Sequence, residues 1–522
     1  MGGEKSIKDP VHGYIVIPKE YCRLFVDTPI FQRLRLIEQT SMRWLFPGAR
    51  HDRFIHSLGV FHLAYRIYES IKLNVQDDEI KELLEKTNLE NTFRVASLMH
   101  DCGHSPFSHT FEKYYNKNAD GSQHDTAIKA LRKVVPKKDA TDLDFSVIRG
   151  TQPAHHEIMS AYVLLSQYAT QLSEIGAEPG MAARMITGAS YAQPSSLKDK
   201  VANVFIELVN GSALDVDKLD YIIRDTWASG VKNTAIDVDR LIRGATIVRV
   251  TRSDGNDEIH FAFKKSAISV VQSVIDARNY LYDWIYGHHT VLYYSHILER
   301  AVVKFAQKYA KENKATGKAV LKRMFSPETF CADVSLAKGG WLKSHLLSDG
   351  DVLHCLKMVV PDDPDYIAYS SHKPRHIPLW KTGAEYRKCI DAAHRFAMSD
   401  KSCIAKIRSK FKLSADDCFA CSDLTMKIYD LKDDAVMIEM ASGEVMPITA
   451  VAHLPQHPHL TSGRTASLFY VYLSEDKQEL KAQIIDFINK MPVKSVEYCK
   501  CRYAKKGKIC GAKNGNPCHT CN

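Results

Sequence analysis

His100-Asp101-Cys102-Gly103-His104-Ser105-Pro106-Phe107-Ser108-His109 follows an apolar run, Arg94–His100, and sets an imidazole beside a carboxylate where the chain must turn. At a helix end broken by Gly103, the two side chains can aim a nitrogen and an oxygen at one cation. A bare His-Asp pair is a weak signal, but three other segments carry the same kind of donor. They are Arg53-Phe54-Ile55-His56-Ser57-Leu58-Gly59-Val60, His156-Glu157 and Asp215-Val216-Asp217-Lys218-Leu219-Asp220-Tyr221. His56, His100, Asp101 and Asp217 together offer two nitrogen and two oxygen donors, a set suited to Mn²⁺, Fe²⁺ or Zn²⁺ and less well to Mg²⁺. Two positions stay open for a water and a phosphate oxygen, where a cation would acidify the water and withdraw charge from a phosphoryl group. The competing explanation, polar groups satisfied at helix ends, is the weaker one because four separate segments supply one chemistry.

Outward from this stretch, residues 28 to 308 read as successive amphipathic helices, with apolar residues at three- and four-residue intervals in Ile30–Glu38, His56–Ile71, His156–Tyr168 and Val270–Arg300. The runs Thr246–Val250 and Ile259–Phe263 flank a Ser253-Asp254-Gly255-Asn256 turn and predict a β-hairpin at 245–263, expected to form a lid or edge. Beyond 320, prolines and Asp/Gly clusters punctuate shorter segments, and Ala435–Ile438 and Ala466–Leu473 read as strands. The fold class expected is therefore mainly α. A helical domain at 1–320 is followed by a smaller mixed α+β lobe at 321–490 and a basic, cysteine-rich tail at 491–522.

The 522 residues, 45% hydrophobic and 25% charged, are ample for a large core and exclude a disordered or fibrous chain. No window approaches the roughly 18 apolar residues of a membrane span, and the start lacks an apolar signal core, so a cytoplasmic or nuclear protein without membrane partners is expected. A net charge of +9 suits polyanionic ligands such as nucleotides. Thirteen cysteines without a disulfide-like framework point to a reducing compartment.

His109 and Glu112 lie three residues apart, on what should be one helix face, so that the carboxylate can orient the imidazole and keep a proton on it. Such a pair can serve a leaving oxygen or an attacking water. His104 and His156 would complete a rim of imidazoles, with Glu157 behind them.

These segments, with Lys8-Asp9-Pro10-Val11-His12-Gly13, Asp27–Arg35, Phe46-Pro47-Gly48-Ala49 and Asp215–Asp225, resemble the HD-superfamily deoxynucleoside triphosphate triphosphohydrolases. The likeness covers about Lys5 to Arg300 and is strongest to the SAM-and-HD-domain enzymes of animals and their bacterial relatives, without the SAM domain. It implies an HD helical bundle that hydrolyses dNTPs to deoxynucleoside and triphosphate. It implies metal ligands at His56, His100, Asp101 and Asp217, with His109, Glu112, His104 and His156 beside the scissile bond. Arg53, Lys218, Tyr221 and Arg278 match phosphate-contacting positions, with Mg²⁺ as a bridge between the nucleotide phosphates. Gln39 and Asp225 match positions that hold the 3′-hydroxyl, and Tyr286 an aromatic that packs on the deoxyribose. The sequence departs from its relatives at Thr40-Ser41-Met42, which bears on ribonucleotide exclusion, and at Tyr282, which replaces a histidine and bears on base contacts.

Lys5, Asp27 and Arg35 match positions that bind an activating nucleotide (GTP, dGTP or a dNTP) between subunits, which implies a homo-oligomer, dimer or tetramer. Capping of the next helix by Asp27 before Thr28-Pro29 explains that residue equally well. In the tail, Cys499, Cys501, Cys510, Cys518 and Cys521 are read either as ligands of a structural zinc or as parts of an unstructured basic segment offering charge to nucleic acid. Three functions compete. They are a dNTP triphosphohydrolase, an HD phosphohydrolase of another nucleotide (ribonucleotide, cyclic or modified), and a nucleotide- or nucleic-acid-sensing module.

Overall fold

Arg53–Asn74 (α1) is apolar on nearly every side, burying Phe54, Leu58, Val60, Phe61, Leu63, Ala64, Ile67, Tyr68 and Ile71, and the first of two compact units forms around it. The computed structural model of the protein describes residues 3–140, 153–211, 214–231, 236–252, 255–391, 394, 400–422, 436–452 and 469–491. Among these, helices predominate and the strands form small sheets, as the mainly α reading requires. The five tail cysteines lie outside the described residues.

Asp52 opens α1 by accepting the Ile55 N–H at 3.0 Å. Against α1 pack Leu89–Met99 (α2), which ends one residue before His100, and Val216–Ser229 (α6). The intervening helices His155–Gln167 (α3), Pro179–Thr187 (α4) and Leu197–Val209 (α5) close the bundle behind α2. Each fully buried Leu, Ile or Phe in these contacts contributes about 1.5–3 kcal/mol relative to exposure. Ile268–Leu281 (α7) then packs on α6.

Glu4–Asp9 (β1) and Gly13–Pro18 (β2) form an antiparallel hairpin before the bundle. The predicted second hairpin is present as Ala245–Thr251 (β3) and Asp257–Lys264 (β4), but it is no lid. β4 also pairs in parallel with Met437–Glu439, making it an inner strand of a four-stranded sheet, and β3 packs on α1. Its alternating apolar residues therefore serve the core.

The boundary expected at residue 320 falls elsewhere. Among the described residues, 298–366 and 436–452 cluster with the first unit, and the second unit comprises 282–297, 367–391, 394, 400–422 and 469–491. Phe469–Ser474, buried throughout, is the central strand of its antiparallel sheet, between His376–Pro378 and Cys418–Ser422. Trp380 anchors that core, donating its indole N–H to the Phe469 carbonyl at 2.7 Å. The division is tertiary, since strand pairing joins segments far apart in sequence.

Gly103 sets the approach of the His100–His109 stretch to α3. It donates its N–H to Ser160 Oγ at 3.0 Å, and a Cβ there would land on the backbone of Met159 and Ser160. Gly103→Ala is expected to destabilise the protein by about 1–3 kcal/mol through overpacking, read as the shift of a urea denaturation midpoint. An unchanged midpoint would contradict so close an approach.

Candidate metal centre

α1, the end of α2 and the first turn of α6 bring His56, His100, Asp101 and Asp217 to one buried point. Asp217 Oδ1 lies 3.0 Å from His56 Nε2 and 3.6 Å from His100 Nε2. Asp101 places Oδ1 3.5 Å from His100 Nε2 and Oδ2 3.6 Å from His56 Nε2. His56, His100 and Asp217 converge closely enough to share one ion at about 2.0–2.2 Å from each, while Asp101 stands beside that group with Oδ2 held by Arg53. The other ring nitrogens are committed: His56 Nδ1 donates to Asp220 Oδ2 at 2.7 Å, and His100 Nδ1 to the Ser97 carbonyl at 2.9 Å. Both Nε2 atoms are buried and lack a hydrogen bond of acceptable geometry, despite the nearby carboxylates. Two lone pairs facing two carboxylates repel unless positive charge sits between them, so the four residues fit a divalent cation.

The electrostatics agree. Burial acts to lower the His56 pKa, yet Asp217 and Asp220 drive it up to about 10. Burial would raise Asp101 and Asp217, but Arg53, His100 and His56 hold the first below the usual carboxylate range, and His100 and His56 the second. The pocket favours a cation whether proton or metal ion.

His104, His109, Glu112 and His156 form a second group of convergent ligand-type atoms. The His104 and His156 rings stack at 4.2 Å, and His109 meets His104 edge-on at 5.1 Å. Glu112 accepts from His109 Nδ1 at 3.2 Å and from His156 Nδ1 at 2.5 Å. His109 and Glu112 do not share the expected helix: Ser108–Thr110 and Glu112–Tyr115 are two 3₁₀ turns. Phe107 and Ser108 precede His109 with φ of 53° and 51°, a left-handed conformation costly for non-glycine residues, and Phe111, at φ −116° and ψ −5°, separates the two turns. Against the effect of burial, Glu112 pushes His156 up to about 9. Burial and neighbouring cations, Arg53 first, hold His104 well below its ordinary value. Burial opposes ionisation of Glu112, but His156 and His109 keep it ionised. A carboxylate, an imidazolium and a neutral imidazole thus stand together near neutral pH, with His109 half exposed.

Arg53 links the groups, donating to Asp101 Oδ2 at 2.5 Å, to Ser108 Oγ at 2.8 Å and to the Gln39 carbonyl at 3.1 Å. Arg53 is buried, so these bonds lie away from solvent. Lys218 turns back on Asp215 at 2.5 Å. Gln39 is buried with Oε1 unpartnered, and Asp225 accepts from His51 Nε2 at 2.6 Å. Tyr221 lies on α6 and Arg278, buried, on α7. Tyr282 and Tyr286 belong to the second unit, where their rings meet edge to face at 5.2 Å. Lys5 and Asp27 approach to 3.6 Å, each about half exposed, whereas Arg35 lies over the Phe54 ring and bonds Gln32. Thr28, not Asp27, caps the helix that follows, accepting from the Phe31 N–H, because its hydroxyl sits at the position preceding Pro29.

Three participants carried no assignment in the sequence reading. Asp220 and His12 stood in quoted segments without a role, and the helical spacing from Asp217 to Asp220 was the available signal for the first. Asp349, 240 residues from His109, offered none. It accepts the Glu38 N–H at 2.9 Å and the Phe107 N–H at 2.6 Å, tying together the loops that carry Gln39 and His109.

Residues 53–203 match the HD domain family, a span that takes in His56, His100, Asp101, His109, Glu112 and His156 and stops short of Asp217. The chain is 30% identical over 295 residues to a deoxynucleoside triphosphate triphosphohydrolase SAMHD1 homolog of Dictyostelium discoideum (54% of this chain, 46% of that protein). It is 31% identical over 291 residues to SAMHD1 of Gallus gallus (54% and 42%), and 28% over 284 to an uncharacterized protein of Mycoplasma genitalium (54% and 55%). The chain thus spans about half the length of the curated relatives it matches. A hypothetical protein from Aquifex aeolicus shares the fold with a TM-score of 0.57 at 19% identity, covering 92% of this chain and 100% of its own. A phosphohydrolase from Bacteroides thetaiotaomicron does so with 0.57 at 20%, covering 90% and 99%.

Burial pushes the Asp349 carboxyl up to about 6, against the Glu38 and Phe107 N–H groups that favour its ionised form. An unfolded Asp titrates near ~3.9. The stabilisation is therefore complete below that value and is lost as pH rises through about 6. Asp349→Asn cannot titrate, so its stability relative to the unaltered chain should improve across that interval. Denaturation midpoints over a pH series check this, and a pH-independent difference would contradict it.

Proposed function

We propose that this chain, which carries an HD domain and is similar over about half its length to deoxynucleoside triphosphate triphosphohydrolases, is a metal-dependent phosphohydrolase that cleaves dNTPs to deoxynucleoside and triphosphate. The observation that carries the reading is the pair of buried, unpartnered Nε2 atoms facing Asp101 and Asp217, beside a His–Glu–His cluster. His56, His100, Asp101 and Asp217 would hold one divalent cation (Mn, Fe, Zn or Mg). When bound, such an ion supplies Lewis acidity to the phosphoryl group and its attacking water.

The remaining work falls to protein side chains. Glu112 accepts from His109 Nδ1, which leaves the half-exposed Nε2 to take a proton from the attacking water as it adds to phosphorus and to deliver that proton to the deoxyribose 5′-oxygen as the P–O bond breaks. His156 and Arg53 place positive charge next to that centre, and Lys218 and Arg278 add more for a triphosphate of about four negative charges. Gln39, with its free buried Oε1, and Asp225 are read as the sugar contacts, with Tyr221 beside the phosphates. The exposed Lys5–Asp27 pair supports the further reading of an activator nucleotide site shared between copies of the chain. A different nucleotide substrate is the second reading, favoured by the departure at Thr40-Ser41-Met42.

Incubation with a mixed pool of dNTPs and NTPs plus Mn²⁺ or Mg²⁺ should release deoxynucleoside and intact triphosphate, identified by chromatography. Release of orthophosphate or dNMP would reject the reaction, and turnover confined to ribonucleotides would transfer it to the second reading. His109→Ala is expected to lower kcat by about 10²–10⁴-fold with metal content unchanged. His56→Ala should lose activity together with the metal-induced rise in melting temperature, worth about 2.7 kcal/mol at a hundredfold excess over Kd.

A further inference from the structure

Asp220 is a heavily engaged carboxylate beside the centre, and one of its partners comes from the far N-terminus. Oδ2 accepts from His56 Nδ1 at 2.7 Å and from Arg224 Nε at 2.8 Å. Oδ1 accepts from His12 Nε2 at 2.6 Å and from Arg224 Nη2 at 3.0 Å. Arg224 reaches on through Nη1 to Asp9 Oδ2 at 2.8 Å, and Asp9 Oδ1 caps the turn between β1 and β2 by accepting the Val11 and His12 N–H groups at 2.6 and 2.8 Å. Asp9, Asp220 and Arg224 are all buried. Gly59, one helical turn beyond His56 on α1, leaves the space: a Cβ there would fall on the Asp220 carboxylate and the Arg224 guanidinium.

A buried network of two carboxylates, a guanidinium and an imidazole costs several kcal/mol in desolvation and is not required to close a helical bundle that apolar contacts already hold. Its one outlet toward the candidate centre is the His56 Nδ1–H. A carboxylate fixed by three donors besides His56 cannot rotate, so it sets both the tautomer and the plane of that ring. Freed of His12 or Asp9, Asp220 could swing, and the Nε2 lone pair would swing with it.

We infer that the turn Asp9–Gly13 is a working part of the metal centre, in which His12 and Asp9 act as positioning residues that fix His56 through Asp220 and so govern how tightly, and in what geometry, the cation is held. The inference rests on the reading of His56, His100, Asp101 and Asp217 as metal ligands. It makes the first strand pair of the chain a lever on the site, since any displacement of β1 acts on His56 through two hydrogen-bonded routes.

The test uses the full chain stripped of metal by chelation and titrated with Mn²⁺ by calorimetry, and in parallel with Co²⁺, whose visible bands report ligand geometry. The variants are His12→Gln, the near-isosteric Asp9→Asn, and Tyr14→Ser, which alters an exposed residue of the same hairpin outside the network. Each is titrated well below its own melting temperature. Mn²⁺ affinity should fall by about 10-fold or more in His12→Gln and Asp9→Asn, with shifted Co²⁺ bands, while Tyr14→Ser matches the unaltered chain. Unchanged affinity and bands in whichever of the two network variants folds would overturn the inference, as would an equal loss in Tyr14→Ser. An unaltered chain that is folded but takes up neither ion would instead defeat the ligand assignment beneath it.

Discussion

Two imidazoles whose Nδ1 protons are given away leave two lone pairs pointing at two carboxylates inside a water-poor core, and most of the first unit is arranged around that repulsion. His56 donates its Nδ1–H to Asp220 and His100 donates its own to the Ser97 carbonyl, so turning either ring over would break that bond. Only positive charge at the centre settles it, and the raised affinity of His56 for a proton is the same demand expressed with the smallest cation available. The helices that bring the donors together have no freedom to drift apart, because α1 is buried on nearly all sides and α2 and α6 pack directly on it.

The neighbouring cluster rests on a different kind of cost. The loop from His104 to His109 holds two successive non-glycine residues in left-handed conformation, and such strain persists only where surrounding contacts over-determine it. Here the Asp349 carboxylate accepts the Phe107 N–H, Ser108 donates to the Glu38 carbonyl, and Arg33 donates to the His104 carbonyl at 2.6 Å. The result is an exposed His109 backed by a carboxylate, next to a stacked pair of imidazoles with opposite protonation preferences. Arg53 stitches this cluster to Asp101, so a change of charge on one side is felt on the other.

Donors and acceptors alternate outward from the centre: His56, then Asp220, then Arg224 with His12, then Asp9. Asp220 and Arg224 are each paired on both sides, and Asp9 is held by Arg224 and two backbone N–H groups, which is how a buried site tolerates so many charges. The outermost layer belongs to the chain's first turn, so the hairpin that precedes the bundle shares in its polar interior.

The amino-acid sequence by itself determined the helical periodicity, the hairpin at 245–263 and the donor types at His56, His100, Asp101 and Asp217, because apolar spacing and residue chemistry are local properties. It also singled out His109 and Glu112, though on a helix that does not exist, since left-handed residues at Phe107 and Ser108 leave no mark in a periodicity. What only the tertiary structure decided is which distant groups meet. Asp349 joining the two site loops, β4 gaining a partner from residues 437–439, and His12 reaching Asp220 and Asp9 reaching Arg224 across more than 200 residues all follow from packing. Nothing in the spacing of those residues foretells it, because a buried carboxylate takes its partners from whatever the folded chain places around it.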